Sequence, residues 1–149
     1  MERERRFDLL MQLAEERDRD AARALGSRRR VLEDARAKLE DLSRYRRDYG
    51  NALANTGGEG LGIQVQEYLR FLSRLNKAIL EQQRSVEQHS RALDVAVEHW
   101  QATQKEVAVL AKVRERGRIA ERKETERREQ KLIDEMAGAR HLAPREESP

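Results

Sequence analysis

Cysteine is absent from the 149 residues, which excludes a disulfide scaffold. Proline is absent before Pro144, so nothing but glycine opposes helix over the first 143 residues. Aromatic residues make up only 4 % of the chain, too little bulk for a layered globular core with an interior that hides an active site. No apolar run approaches the roughly 18 residues needed to span a bilayer. No basic start leads into an apolar stretch, so no signal peptide is read, and a soluble cytoplasmic protein is expected. An excess of one charge sign is also missing: 31 basic residues are set against 28 acidic ones, a net charge of +3. That interleaving argues against a dedicated nucleic-acid stripe. Glu2/Arg6, Glu15/Arg19, Asp34/Lys38, Glu40/Arg44 and Glu124/Arg128 sit at helix-neighbour spacing and describe solvated helix faces.

What the chain does hold is a heptad ladder. From Val65 to Gly117 the chain steps by three and four without a slip, and eleven of the sixteen seam places are apolar. One seam position reads Val65, Leu72, Ile79, Val86, Leu93, Trp100, Val107, Arg114; the other reads Tyr68, Leu75, Gln82, His89, Ala96, Thr103, Leu110, Gly117. An apolar repeat every 3.5 residues keeps one stripe facing a partner helix, which predicts a left-handed coiled coil. A first helical stretch from about Phe7 to Leu53 carries a weaker seam through Leu10, Leu13, Arg17, Ala21 and Leu25. A firmer one follows through Leu32, Ala35, Leu39, Leu42, Arg46, Tyr49 and Leu53.

Between the two stretches, the segment from Gly50 to Gly62 holds five glycines in thirteen residues. Glycine and asparagine tolerate the backbone angles that end a helix and reverse the chain. The Gly-Lys-Ser/Thr ending of a phosphate-binding loop is missing, so a turn is expected. The predicted fold class is all-α: a long antiparallel two-helix coiled-coil hairpin with a charged C-terminal helical extension. A single domain over 1–142 is divided into arm one at about 5–54, a turn at about 55–62 and arm two at about 63–137, followed by a disordered tail at 143–149. Pairing residues whose numbers sum to about 117 sets Leu42 against Leu75, Tyr49 against Tyr68 and Phe7 near Leu110. Arms of roughly 50 residues make a rod on the order of 75 Å long. Past that pairing, Lys112 to Lys131 holds nine basic and five acidic residues. This overhang reads either as a solvated helix or as a partner-binding one.

Chemistry is sparse. His89, His99 and His141 have no cysteine or metal-spaced carboxylates around them, so no metal site is assigned, and His89 falls on the seam, where an occasional polar residue sets register. Glu and Asp lie on exposed faces, where no desolvation shifts them toward acid–base work. No catalytic or cofactor-binding residues and no cofactor are assigned, and the protein is not expected to be an enzyme. The few aromatics are more informative. Tyr45, Tyr49, Tyr68 and Phe71 gather toward the turn, with Tyr45 and Phe71 flanking the seam at nearly one height and Ala78 one turn further along. Such a group reads either as a docking patch or as bulky shielding of the seam.

Several of these residues together carry a resemblance. Asp20-Ala21-Ala22-Arg23-Ala24-Leu25-Gly26, then Leu39, Leu42, Tyr45 and Tyr49, the glycine-bearing turn, Tyr68, Phe71, Lys77-Ala78-Ile79 and Val95-Ala96 before Trp100 resemble the FliJ family over nearly the whole chain. This family supplies the small coiled-coil component of the bacterial flagellar type III export apparatus. The resemblance implies a non-enzymatic central stalk, similar to the coiled-coil shaft of rotary ATP synthases. It would promote hexamer assembly and activity of the export ATPase, reach the transmembrane export gate protein and escort empty export chaperones. By resemblance the gate-binding surface falls on Leu42, Tyr45, Tyr49, Phe71, Leu75 and Ala78, while neighbouring Lys38 and Gln82 depart from the family pattern. The ATPase-facing end is expected to carry both termini, with Arg28, Arg29, Arg30, Arg114, Arg116 and Arg118 as candidates.

On this reading the protein is a monomeric hairpin without nucleic acid or membrane insertion, associated peripherally with the cytoplasmic face of the inner membrane at the flagellar base. Two alternatives stay open from the residues alone. One is a coiled-coil stalk or adaptor of a virulence secretion system or other structural assembly. The other is a charge-driven binder of nucleic acid or anionic membrane through the basic overhang, whose affinity falls steeply with salt.

Overall fold

The computed structural model describes residues 1–55 and 62–142, with side-chain environments for 1–55 and 65–140. Residues 56–61 of the expected turn, and the expected tail at 143–149, lie outside the described residues. Among the described residues there are two elements, α1 (Glu2–Asn55) and α2 (Gly62–Leu142), and no strand. Both are rich in Leu, Ala, Glu and Arg, residues that lose least on entering a helix. Glu2 and Glu4 place negative charge in the first turn of α1, where the helix dipole favours it. The helix begins with Arg5 N–H donating to the Met1 carbonyl at 3.2 Å.

Glycine does not break these helices where a Cβ would be tolerated. Helix α1 runs through Gly50 and ends at Asn55. A Cβ added at Gly50 would meet nothing within 4 Å. A lone helical glycine costs only about 1 kcal/mol against alanine, and the Ala-Leu-Ala that follows sustains the turn.

The chain divides into two units, Met1–Lys105 and Glu106–Pro149. In the first, α1 packs against α2 as an antiparallel helical hairpin: as residue numbers fall along α1, their partners rise along α2. Tyr45 meets Phe71 and Tyr49 meets Tyr68, Ala35 meets Gln82, and Asp18 meets Thr103. The core is a single thread of side chains, with Ala14, Ala21, Leu25, Leu32 and Ala35 of α1 buried against Leu75, Ile79 and Thr103 of α2. All twelve α2 seam positions from Val65 to Thr103 are at least partly shielded, as a heptad stripe requires.

The start of the α1 seam differs from the sequence reading. Leu10 and Leu13 are 54 % and 48 % exposed, and Arg17 is exposed as well. The shielded positions are Phe7, Met11, Ala14, Asp18 and Ala21, which continue the later seam backwards in strict steps of three and four. A path through Arg17, Ala21 and Leu25 takes two consecutive steps of four, which rotates the stripe away from the partner. Register overrides hydrophobicity here: alanine and aspartate enter the seam while leucines stay outside.

The second unit, described by itself, is α2 from Glu106 onward. Over residues 106–140 only Val107, Leu110, Arg114 and Gly138 are partly shielded. Val109, Val113, Ile119, Leu132, Ile133 and Met136 are exposed among the charges.

Candidate functional site

The most distinctive surface of the first unit is an aromatic cluster at one level of the hairpin. Tyr45 and Tyr49 are one helical turn apart on α1, and Tyr68 and Phe71 are three residues apart on α2, so each pair projects to one side of its helix. Antiparallel register then brings the pairs together. Tyr49 stacks on Tyr68 with ring centres 5.1 Å apart and meets Phe71 at 4.7 Å, tilted by 50°. Tyr45 makes an edge-on contact with Phe71 at 5.9 Å and lies 6.3 Å from Tyr49. Offset and edge-to-face geometries of this kind satisfy the ring quadrupoles and add about 0.5–1.5 kcal/mol per pair beyond area burial.

Burial separates the six residues expected to form one surface. Leu75 is buried; Leu42, Tyr49, Phe71 and Ala78 are partly shielded; Tyr45 is 53 % exposed. The cluster is therefore seam on its inner side and solvent-facing at Tyr45. Tyr49, Tyr68 and Phe71 thus shield the seam, while Tyr45 presents its ring to solvent. Beside the cluster, Arg46 occupies a seam position but turns outward, its Nη1 donating to Asn76 Oδ1 of the other arm at 3.0 Å. Gln82 has its side-chain amide committed across the seam to the Ala35 carbonyl at 2.9 Å. Lys38 is exposed.

The arginine candidates fall in two places. Arg28, Arg29 and Arg30 are exposed on α1, and Arg30 Nε reaches the Gly26 carbonyl at 3.5 Å. At 1.5 Å per residue they lie roughly 25 Å along α1 from Tyr45, so they belong to a different surface from the aromatic cluster. In the second unit Arg116 and Arg118 are exposed and Arg114 is partly shielded. Further along α2, Arg128 and Arg127 pair with one carboxylate, Glu124, at 3.5 and 3.8 Å.

One polar contact escaped the sequence reading. Thr103, only 5 % exposed, sets its hydroxyl 3.0 Å from an Asp18 carboxylate oxygen and 2.8 Å from the Trp100 carbonyl. An unbroken heptad count through Asp18 is the signal that finds it. Among the described residues no group of three His, Asp or Glu side chains is arranged to hold a metal ion. No helix among them is long and apolar enough to cross a membrane.

Three comparisons bear on this geometry. A family model described as "Flagellar FliJ protein" matches residues 3–146. The chain is 30% identical to the Flagellar FliJ protein of Escherichia coli (strain K12) over 129 residues, covering 86% of this chain and 88% of that one. It is 29% identical to the Flagellar FliJ protein of Salmonella typhi over 132 residues, with coverage of 88% and 90%.

Proposed function

The chain belongs to the FliJ family of flagellar proteins, and on that premise we propose that it is a non-enzymatic stalk of the flagellar protein export apparatus. In this role it promotes assembly and activity of the export ATPase hexamer, links that ring to the transmembrane export gate and escorts export chaperones. It works in the cytoplasm, peripherally associated with the inner membrane at the flagellar base.

The observation that carries this reading is the aromatic cluster. Tyr45, Tyr49, Phe71, Leu42, Leu75 and Ala78 bring aromatic and small residues from both arms to one level, and Tyr45 offers an exposed ring anchored by its neighbours. Preordered aromatics are the residues that dominate binding energy at protein interfaces, because little side-chain entropy is lost on docking. This surface is assigned to the export gate. The ATPase contact is assigned to arginines remote from it, Arg28, Arg29 and Arg30 on α1 and Arg114, Arg116 and Arg118 on α2. Exposed charge gives a salt-sensitive contact suited to repeated engagement, since a solvated ion pair contributes only about 0–1 kcal/mol.

The test adds the purified protein at rising concentration to the flagellar export ATPase of the same organism and records ATP hydrolysis and ring assembly. Saturable stimulation with hexamer formation supports the stalk role. An active ATPase that does not respond excludes it.

A further inference from the structure

The apolar part of the hairpin seam does not select one alignment of its arms. Leu25, Leu32, Leu39 and Leu42 on α1, and Leu72, Leu75, Ile79, Val86 and Leu93 on α2, repeat with the heptad, so sliding one arm by seven residues again sets aliphatic against aliphatic. Two polar contacts break that degeneracy. The Gln82 amide reaches the Ala35 carbonyl at 2.9 Å, which an alanine at that level permits because no larger side chain covers the backbone. At the far level the Thr103 hydroxyl lies 3.0 Å from the Asp18 carboxylate, between the buried Ala14 and Ala21.

After a one-heptad slip both contacts are lost. Gln82 then meets Leu42 or Arg28 in place of Ala35, and Thr103 meets Met11 or Leu25 in place of Asp18. The Thr103 hydroxyl keeps its Trp100 carbonyl in any register, so the penalty falls on Asp18: moved in the seam to face Ala96 it has no side-chain donor opposite, and a polar group left unpaired in a shielded seam is penalised more than a made hydrogen bond is rewarded.

We propose that Asp18–Thr103 and Gln82–Ala35 are register pins, which select the alignment of the two arms and thereby place the Tyr45 ring beside Phe71. Their work is discrimination between alignments. In either slipped hairpin Tyr45 loses Phe71, standing beside Ala78 in one of them, and the aromatic cluster is dismantled, although helix content is unchanged. The inference rests on the hairpin alone and holds whatever binds the aromatic surface.

The lack of native cysteine makes the test clean, because introduced cysteines are the only thiols. Tyr45 and Phe71 touch, so Lys38 and Ala78, one heptad along each arm, share a level. Lys38→Cys with Ala78→Cys reports the native register. Lys38→Cys with Ser85→Cys, and Val31→Cys with Ala78→Cys, report slips of one heptad in either direction. Each pair is placed in the full chain, with and without Asp18→Leu, Thr103→Val and Gln82→Leu, and equilibrated in a glutathione redox buffer.

The expected result is that the parent forms the intramolecular native-register disulfide almost alone. Removing the pins should raise a slipped disulfide roughly ten-fold at unchanged helicity. Pin-free chains that keep their helicity and form only the native disulfide would overturn the proposal. So would loss of helicity both in the triple variant and in Asp18→Leu/Thr103→Val alone, since the contacts would then support the fold instead of choosing its register. Asp18→Asn, whose amide oxygen still accepts the hydroxyl, should keep the native disulfide; a slipped pattern in that variant counts against the pin.

Discussion

Tyr49 lies on Tyr68 across the hairpin with ring planes 15° apart and centres separated by 5.1 Å. It also touches Phe71 and Tyr45, so it is the shared member of all but one of the ring contacts in the cluster. The one it does not share joins Tyr45 to Phe71, and Tyr45 is the ring most open to solvent. The two tyrosines of α1 therefore serve different ends: Tyr49 holds the arms together and Tyr45 displays a surface.

Tyr49→Ala should cost about 2–3 kcal/mol, somewhat below the range for fully buried aromatics because Tyr49 is only partly shielded. In a chain of this size that lowers Tm by roughly 4–10 °C. Thermal unfolding followed by circular dichroism at 222 nm reads the shift. A change under about 0.5 kcal/mol, the level of ordinary surface substitutions, would show that the stack does not hold the arms.

Tyr45→Ala combined with Phe71→Ala should leave helix content at 25 °C unchanged and weaken binding to the cytoplasmic part of the export gate by at least about ten-fold, the loss of one interface anchor. The readouts are far-ultraviolet circular dichroism and a direct titration with the gate fragment. Wild-type affinity in the double variant sinks the assignment of this surface. A collapse of helicity would make the cluster core alone.

The corrected seam makes a contrast between two leucines of the same helix. Leu32 is 2 % exposed and Leu10 more than half exposed. Leu32→Ala is expected to cost about 2–4 kcal/mol and Leu10→Ala under about 1 kcal/mol. Denaturant unfolding of both variants decides it, and equal losses would restore Leu10 to the seam.

Much of the fold was legible because a coiled coil writes its contacts into one period. The α2 stripe from Val65 to Thr103 could be counted directly, and the turn position then fixed which aromatics meet. What failed was the start of α1. Leucines at 10 and 13 attract a seam, whereas Ala14 and Asp18 look like surface until Thr103 is seen opposite. A single helix does not state its partner, so the sequence alone puts these exposed leucines in the core. The arginines were illegible for another reason: they sit among alternating charges throughout α1 and α2, and exposure alone does not distinguish a contact from a solvated face.

Gly26 sits inside α1, and a Cβ there would meet nothing within 4 Å. Gly26→Ala should therefore stabilise the hairpin by about 0.5–1 kcal/mol, chiefly by restricting the unfolded chain. A rise in the denaturant midpoint at constant slope is the expected signature. A fall would mean that α1 bends or is approached at Gly26 in solution.

Under the proposed function, Arg28, Arg29 and Arg30 offer the sharpest test of an ATPase contact. Consecutive helical residues are turned by about 100°, so the three guanidinium groups cover roughly 200° of the circumference of α1. A flat partner reaches one or two of them, whereas a ring that surrounds the stalk reaches all three. Under the proposed function, each single alanine substitution should reduce ATPase stimulation modestly and to a similar degree, and the triple variant should approach the sum of their free energies. Because exposed charges are screened over about 10 Å at 0.1 M salt, the wild type should lose stimulation as salt rises while the triple variant is nearly insensitive. One dominant arginine with two silent neighbours would replace the ring by a one-sided contact. Full stimulation by the triple variant would remove this segment from the ATPase interface and leave Arg114, Arg116 and Arg118 as the positions to substitute next.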